Sequence, residues 1–141
     1  MRPKSLKLLQ KLTKNRGGFT LVEIMIVVAI IALLAAIAVP NFLRARKRSQ
    51  ATRILEDLRM IDAAVDQYAI ENNRIGGAVV PWAGVQAYLK TGSKLYNSGG
   101  TDMLTNTYGT FTVDSIPKLS NLSYTALSDV APLDFWSPYY P

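Results

Sequence analysis

Gly17-Gly18-Phe19-Thr20-Leu21-Val22-Glu23, with the apolar run Ile24 to Val39 behind it, decides the fold of this 141-residue chain. The stretch joins a basic leader to a segment of membrane length. It also places one carboxylate where a carboxylate is costly. From Phe19 to Val39 there are 21 residues and a single charge, Glu23. A helix of that length, rising about 1.5 Å per residue, spans roughly 32 Å, close to the ~30 Å hydrocarbon core of a bilayer. Three fates fit such a segment: a permanent anchor, a secretory signal, or a helix held in the membrane and later packed against copies of itself. Ala36-Ile37-Ala38 offers a small-x-small cleavage site, but the run exceeds the usual ~7–15 residues of a signal core and contains Glu23.

The net charge of +6 belongs to the leader. Arg2, Lys4, Lys7, Lys11, Lys14 and Arg16 stand there without an acid, while from Phe19 onward ten basic and ten acidic side chains balance. A basic segment ahead of an apolar run stays on the cytoplasmic side and sets orientation. A nucleic-acid reading built on net charge loses its basis once the leader is gone. The chain has no cysteine and no histidine. Disulfides, Cys/His zinc sites and His-based catalytic triads are therefore excluded.

Pro40 follows the apolar run. It lacks an N–H, so the carbonyl of Ala36 loses its helical partner, and the helix kinks or ends there. The pattern beyond favours a kink. Ala51, Ile54, Leu58, Ile61, Val65 and Tyr68 recur at three- and four-residue spacing, with Leu55 and Ala69 widening the stripe, as on one face of an amphipathic helix. Arg53, Glu56, Asp57, Arg59 and Asp66 lie off that stripe. One long helix is expected from about Thr20 to about Asn72, stopped by Asn72-Asn73 and Gly76-Gly77. Arg44, Arg46, Lys47 and Arg48 form a basic collar just past the apolar segment, suited to anionic headgroups, to acids on a neighbouring subunit or, less well, to nucleic acid.

Residues 73–141 read as a small globular α+β head. Pro81 to Lys90 predicts a short helix, Asn97 to Asn106 a loop, and Tyr108–Val113 with Leu122–Leu127 an antiparallel hairpin, because both segments alternate at period two. Two strands alone are marginal in water, so the helix stripe is expected to cover them. The aromatic end, Asp134 to Pro141, is expected to cap the core.

Gly18-Phe19-Thr20-Leu21-Val22-Glu23, the apolar run and Pro40-Asn41-Phe42 resemble the class III signal of type IV pilins and type II secretion pseudopilins. The likeness covers roughly Gly17 to Arg48. It combines a glycine before the cut, a phenylalanine after it, a glutamate as fifth residue of the mature chain, and a proline past the apolar run. The resemblance implies cleavage between Gly18 and Phe19 by a membrane aspartic peptidase and N-methylation of Phe19. It also implies an inner-membrane assembly platform and a filament of homologous subunits whose core is the bundled helices. The fold implied is α+β, a long N-terminal helix packed on a small antiparallel sheet. The domains expected are a leader (1–18), a transmembrane or filament-core half-helix (19–40), an amphipathic half-helix (41–72) and the head (73–141). The disulfide loop common in such pilins cannot form here, and the 18-residue leader is longer than many. Pseudopilins often bind calcium. Asp129 and Asp134 are available acids, but Ca²⁺ wants six to eight oxygens and no loop shows that density, so no cofactor is expected.

Cleavage would create an amine at Phe19 that Glu23 of another subunit can neutralise in register, while Glu23 also lies one turn from its own Phe19. An unpaired charge in an apolar bundle is costly and a paired one is tolerated. The function expected is a structural filament subunit without catalytic activity. It would start in the inner membrane with its leader cytoplasmic and its head outside, and pass into a surface or periplasmic filament. The alternative is a single-span membrane protein with a small extracytoplasmic binding domain. No metal, phosphate or nucleophile motif supports an enzyme.

Overall fold

A computed structural model describes residues 17–141. The leader expected over 1–18 lies outside the described residues except for Gly17 and Gly18. The chain divides into two units between Asn41 and Phe42.

Helix α1 runs from Leu21 to Glu71 and includes Pro40 without a break in helical assignment. The helix therefore does not end at the proline. Within the first unit, every described residue is exposed, including Leu21, Ile24, Ile26, Ile31, Leu34 and Ile37. That segment is long and apolar enough to cross a membrane. Such a surface is stable only when lipid or other protein covers it.

In the second unit, α1 is one-sided. Of the stripe expected from the spacing, Ala51, Ile54, Leu55, Leu58, Ile61, Val65 and Ala69 are buried and Tyr68 is half-buried, and Ala64 is buried beside them. The helix stops because Asn73 takes a left-handed conformation (φ 48°). The Arg74 N–H then reaches the Ala69 carbonyl at 2.9 Å and the Asn73 N–H reaches that of Ile70 at 3.5 Å. These bonds satisfy carbonyls that the helix end would otherwise orphan.

The head then wraps this face. Strand β1 (Val79–Val80) precedes helix α2 (Trp82–Gln86), a 3₁₀ turn (Tyr96–Ser98), strand β2 (Phe111–Thr112), helix α3 (Asn121–Leu127) and a second 3₁₀ turn (Leu133–Trp136). The sheet is antiparallel and two-stranded, with Val79 opposite Thr112 and Val80 opposite Phe111. The fold is thus α+β, a long N-terminal helix with a small antiparallel sheet. Trp136 is fully buried and Tyr139 nearly so, so the aromatic end belongs to the core.

The hairpin expected over 108–127 does not form. Phe111–Thr112 pairs with Val79–Val80, and the second half is α3. The alternation of Leu122, Tyr124 and Ala126 misleads: Leu122 is 69% exposed, Tyr124 is half-buried against the core, and the buried positions are Ser123 and Leu127, one turn apart. Tyr124 N–H bonds the Ser120 carbonyl at 2.9 Å, which starts the helix. A helix buries the i, i+4 pair, so the period that decides the segment is 3.6 rather than 2.

The candidate assembly junction and basic collar

Gly17 to Thr20 precede α1 in exposed, non-helical backbone. The Gly18–Phe19 bond therefore lies in exposed backbone ahead of the helix. A Cβ built on Gly18 would meet nothing within 4 Å. The fold of this chain makes no demand for glycine there.

Helix α1 starts with a reciprocal cap. The Thr20 hydroxyl oxygen accepts from the Glu23 N–H at 3.2 Å, and a Glu23 carboxylate oxygen accepts from the Thr20 N–H at 2.9 Å. The Ile24 N–H bonds the Thr20 carbonyl at 3.3 Å. Thr20 is thus the N-cap and Glu23 the N3 residue of a capping box, and an acid there also faces the positive end of the helix dipole. This role for Thr20 was legible as Thr-x-x-Glu ahead of an apolar run and was missed in reading the sequence for charge alone. The cap engages one carboxylate oxygen of Glu23, so the other is free to accept from a second donor. Phe19, which would carry the new amine, is 84% exposed.

The collar is not uniform. The Lys47 ammonium pairs with Asp129 at 3.0 Å, a contact within one chain. The hydrogen bond from Lys47 holds the Asp129 carboxyl below its ordinary range, with Arg44 adding to the effect. Arg44, Arg46 and Arg48 are exposed and make no ion pair among the described residues. Arg53 and its neighbours Glu56 and Asp57 likewise form no ion pair, although Arg53 stands near enough to favour the Asp57 charge. Asp129 is thus committed to Lys47, and Asp134 is a separate exposed acid. No cluster of three or more metal-ligating side chains occurs among the described residues.

Inside the head, sequence reading missed a buried polar hub. Asp57, which lies off the apolar stripe in the sequence, is 5% exposed and accepts from the Tyr108 hydroxyl at 3.2 Å. Burial pushes its carboxyl above the ordinary range, against the pull of Arg53 and the Tyr108 bond. Burial also pushes the Tyr108 hydroxyl far up, reinforced by Asp57 and Asp102. Asp102 accepts from the backbone N–H groups of Leu104 and Asn106 at 2.8 and 2.9 Å and from the Ser123 hydroxyl. The Asn106 amide closes the ring on Ser123 at 2.9 Å. These bonds hold the loop after the first 3₁₀ turn against α1 and α3.

The family model for the prokaryotic N-terminal methylation motif matches residues 13–39, which include the junction and the apolar run. The chain is 39% identical over 67 residues to the type IV major fimbrial protein of Dichelobacter nodosus, covering 48% of this chain and 43% of that one. It is 47% identical over 60 residues to the type IV wide pilus major component of Thermus thermophilus, covering 43% of this chain and 46% of that one. It is 37% identical over 61 residues to the type II secretion system core protein G of Klebsiella pneumoniae, covering 43% and 44%. The chain thus spans less than half the length of each of these relatives. No solved structure matches it. Over this N-terminal portion, the chain is similar to type IV pilins and type II secretion pseudopilins.

Proposed function

We propose that this protein is a structural subunit of a type IV pilus or a type II secretion pseudopilus, made as a precursor and assembled through the first half of α1. The observation that carries the reading is an exposed apolar half-helix with one charge, which lies within a methylation motif and continues into a helix whose second half belongs to a head with its own core. The same helix would have two solvents in turn, lipid in the precursor and neighbouring helices in the filament. Ala29, Ala32, Ala35, Ala36 and Ala38 permit close helix approach.

In this reading a membrane peptidase cuts between Gly18 and Phe19 on the cytoplasmic side, and Phe19 is N-methylated. The space around Gly18 supports a requirement imposed from outside the chain, since nothing within the fold would obstruct a side chain there. The leader's positive charge, which retains the precursor, leaves with it. Glu23 then meets the Phe19 amine of a neighbour and fixes register. Pro40 is proposed to let α1 bend when the subunit leaves the bilayer. Assembly would engage other pilins or pseudopilins and an inner-membrane platform, with no cofactor and no catalytic activity.

The test is the N-terminal mass of protein from sheared filaments and from membranes. A chain beginning at N-methyl-Phe19 in the filaments is expected. An intact Met1 or a start at Val39 would favour a single-span membrane protein that does not polymerise. Gly18→Leu is expected to leave the full-length precursor in the membrane, heavier on a blot by the 18-residue leader.

A further inference from the structure

Between Glu23 and Glu56 the chain carries no acid, and the basic groups in that interval begin with Arg44 and end with Arg53. Phe42 and Leu43, 68% and 50% exposed, stand immediately ahead of them. An aromatic and an aliphatic side chain followed by arginines is the order of a membrane surface, apolar depth first and phosphate level next. Arg44 follows the apolar run by five positions, about 8 Å of helical rise, which is the depth of a headgroup layer.

The distribution round the helix separates this partner from others. Arg44 and Arg48 are one turn apart on one face, and Arg46 lies about half a turn away. Basic groups on opposite sides suit a layer that surrounds the helix. A nucleic-acid strand asks for them on one side. Arg44 and Arg48 also line a cleft of about 330 Å³ with Ala45, Asp129 and Val130. The acid in that cleft is occupied by Lys47. The arginines are left exposed and without an ion pair among the described residues, as donors for phosphate oxygens.

We propose that Arg44, Arg46 and Arg48 form a collar that binds the phosphate groups of anionic lipids at the outer face of the membrane before assembly. The Lys47–Asp129 pair limits the collar's charge by neutralising the fourth basic group within the chain. The proposal rests on the reading above that residues 21–39 lie in a bilayer.

The full chain, reconstituted in nanodiscs of phosphatidylcholine mixed with phosphatidylglycerol, tests it. Native mass spectrometry counts the lipids retained on release. Each basic group near an anionic surface favours binding about fivefold, so R44Q/R46Q/R48Q is expected to lower phosphatidylglycerol retention roughly tenfold or more. Asp129→Asn, at an exposed site, frees Lys47 and is expected to raise retention above wild type. Equal retention of the two lipids by the wild type, or no change in either variant, overturns the proposal. So does arginine-dependent binding of duplex DNA without any lipid preference. Flotation with pure phosphatidylcholine vesicles reports on insertion separately. Failure to float overturns the bilayer reading itself, whereas normal flotation with no lipid preference overturns only the collar.

Discussion

At Asp57 the helix departs from its own pattern. The residue lies off the apolar stripe, yet it is 5% exposed, and one of its carboxylate oxygens has no partner among the described residues. Its one hydrogen bond comes from Tyr108, fifty-one positions away. Removing that hydroxyl in Tyr108→Phe would leave the carboxylate buried and unbonded, at a cost of about 1–3 kcal/mol. Each kcal/mol shifts the melting temperature of a domain of 60–100 residues by roughly 4–8 °C. Both tryptophans, Trp82 and Trp136, lie in the head, so their fluorescence in a thermal melt reads this loss directly. The same carboxyl makes stability depend on pH. Burial raises it above its ordinary 3.8, so the folded head binds the proton more tightly than the unfolded chain. Its contribution is therefore fully present below the unfolded value and is lost as pH rises through the raised one. Asp57→Asn removes that dependence. Measured against wild type, the variant's melting temperature is expected to gain between about pH 4 and pH 7. Asp62, raised by burial, and Glu71 and Asp129, lowered by their hydrogen bonds, are present in both proteins and drop out of the difference. A constant difference across that range would count against this account.

The elements differ in how openly the sequence declares them. Helix α1 is legible because its stripe repeats over Ala51 to Ala69 and its stop is marked by Asn73, a residue that tolerates the left-handed turn. Its start was legible too, as Thr20-x-x-Glu23, once sought as a cap rather than as a charge. The sheet was not. Each strand has two residues, so neither is long enough to show a period, and the pairing of β1 with β2 joins segments thirty-odd positions apart. Helix α3 was misread because what fixes it is polar. Ser123 is fully buried, donating to Asp102 and accepting from the Asn106 amide. An aspartate in a Ser-, Gly- and Thr-rich stretch signals a loop, and nothing in its neighbourhood points to a serine twenty-one positions on. This reading separates two substitutions. Ser123→Ala leaves Asp102 and Asn106 each short of a partner and is expected to destabilise the head by about 1–3 kcal/mol. Leu122→Ser, at a side chain 69% exposed, is expected to fall within about 0.5 kcal/mol of wild type. The hairpin would require the reverse order, since alternation would put Leu122 inside. Urea unfolding of the two variants, followed by tryptophan fluorescence, decides between them.

For the whole molecule, the question is what Glu23 would do in the proposed assembly, because the capping box already gives it an occupation. A filament defect in Glu23→Val alone would not show that charge pairing matters, since valine removes both the charge and the bond to the Thr20 N–H. Glutamine separates the two. It can serve as the N3 partner of a threonine cap, so Glu23→Gln keeps the helix start and loses only the charge. Thr20→Ala does the converse, deleting the cap hydroxyl at a cost of about 0.5–2 kcal/mol of helix stability while leaving the carboxylate in place. If register is set by Glu23 of one subunit meeting the Phe19 amine of another, Glu23→Gln is expected to give processed, membrane-held protein and few filaments. Thr20→Ala is expected to give filaments in reduced but substantial amount. An apolar bundle penalises an unpaired ammonium, so the defect in Glu23→Gln should also exceed what a fraying first turn costs. Sheared filament yield, set against processed protein in the membrane fraction, supplies the comparison. Normal filaments from Glu23→Gln together with none from Thr20→Ala would assign the position to helix capping and remove the charge pair from the mechanism.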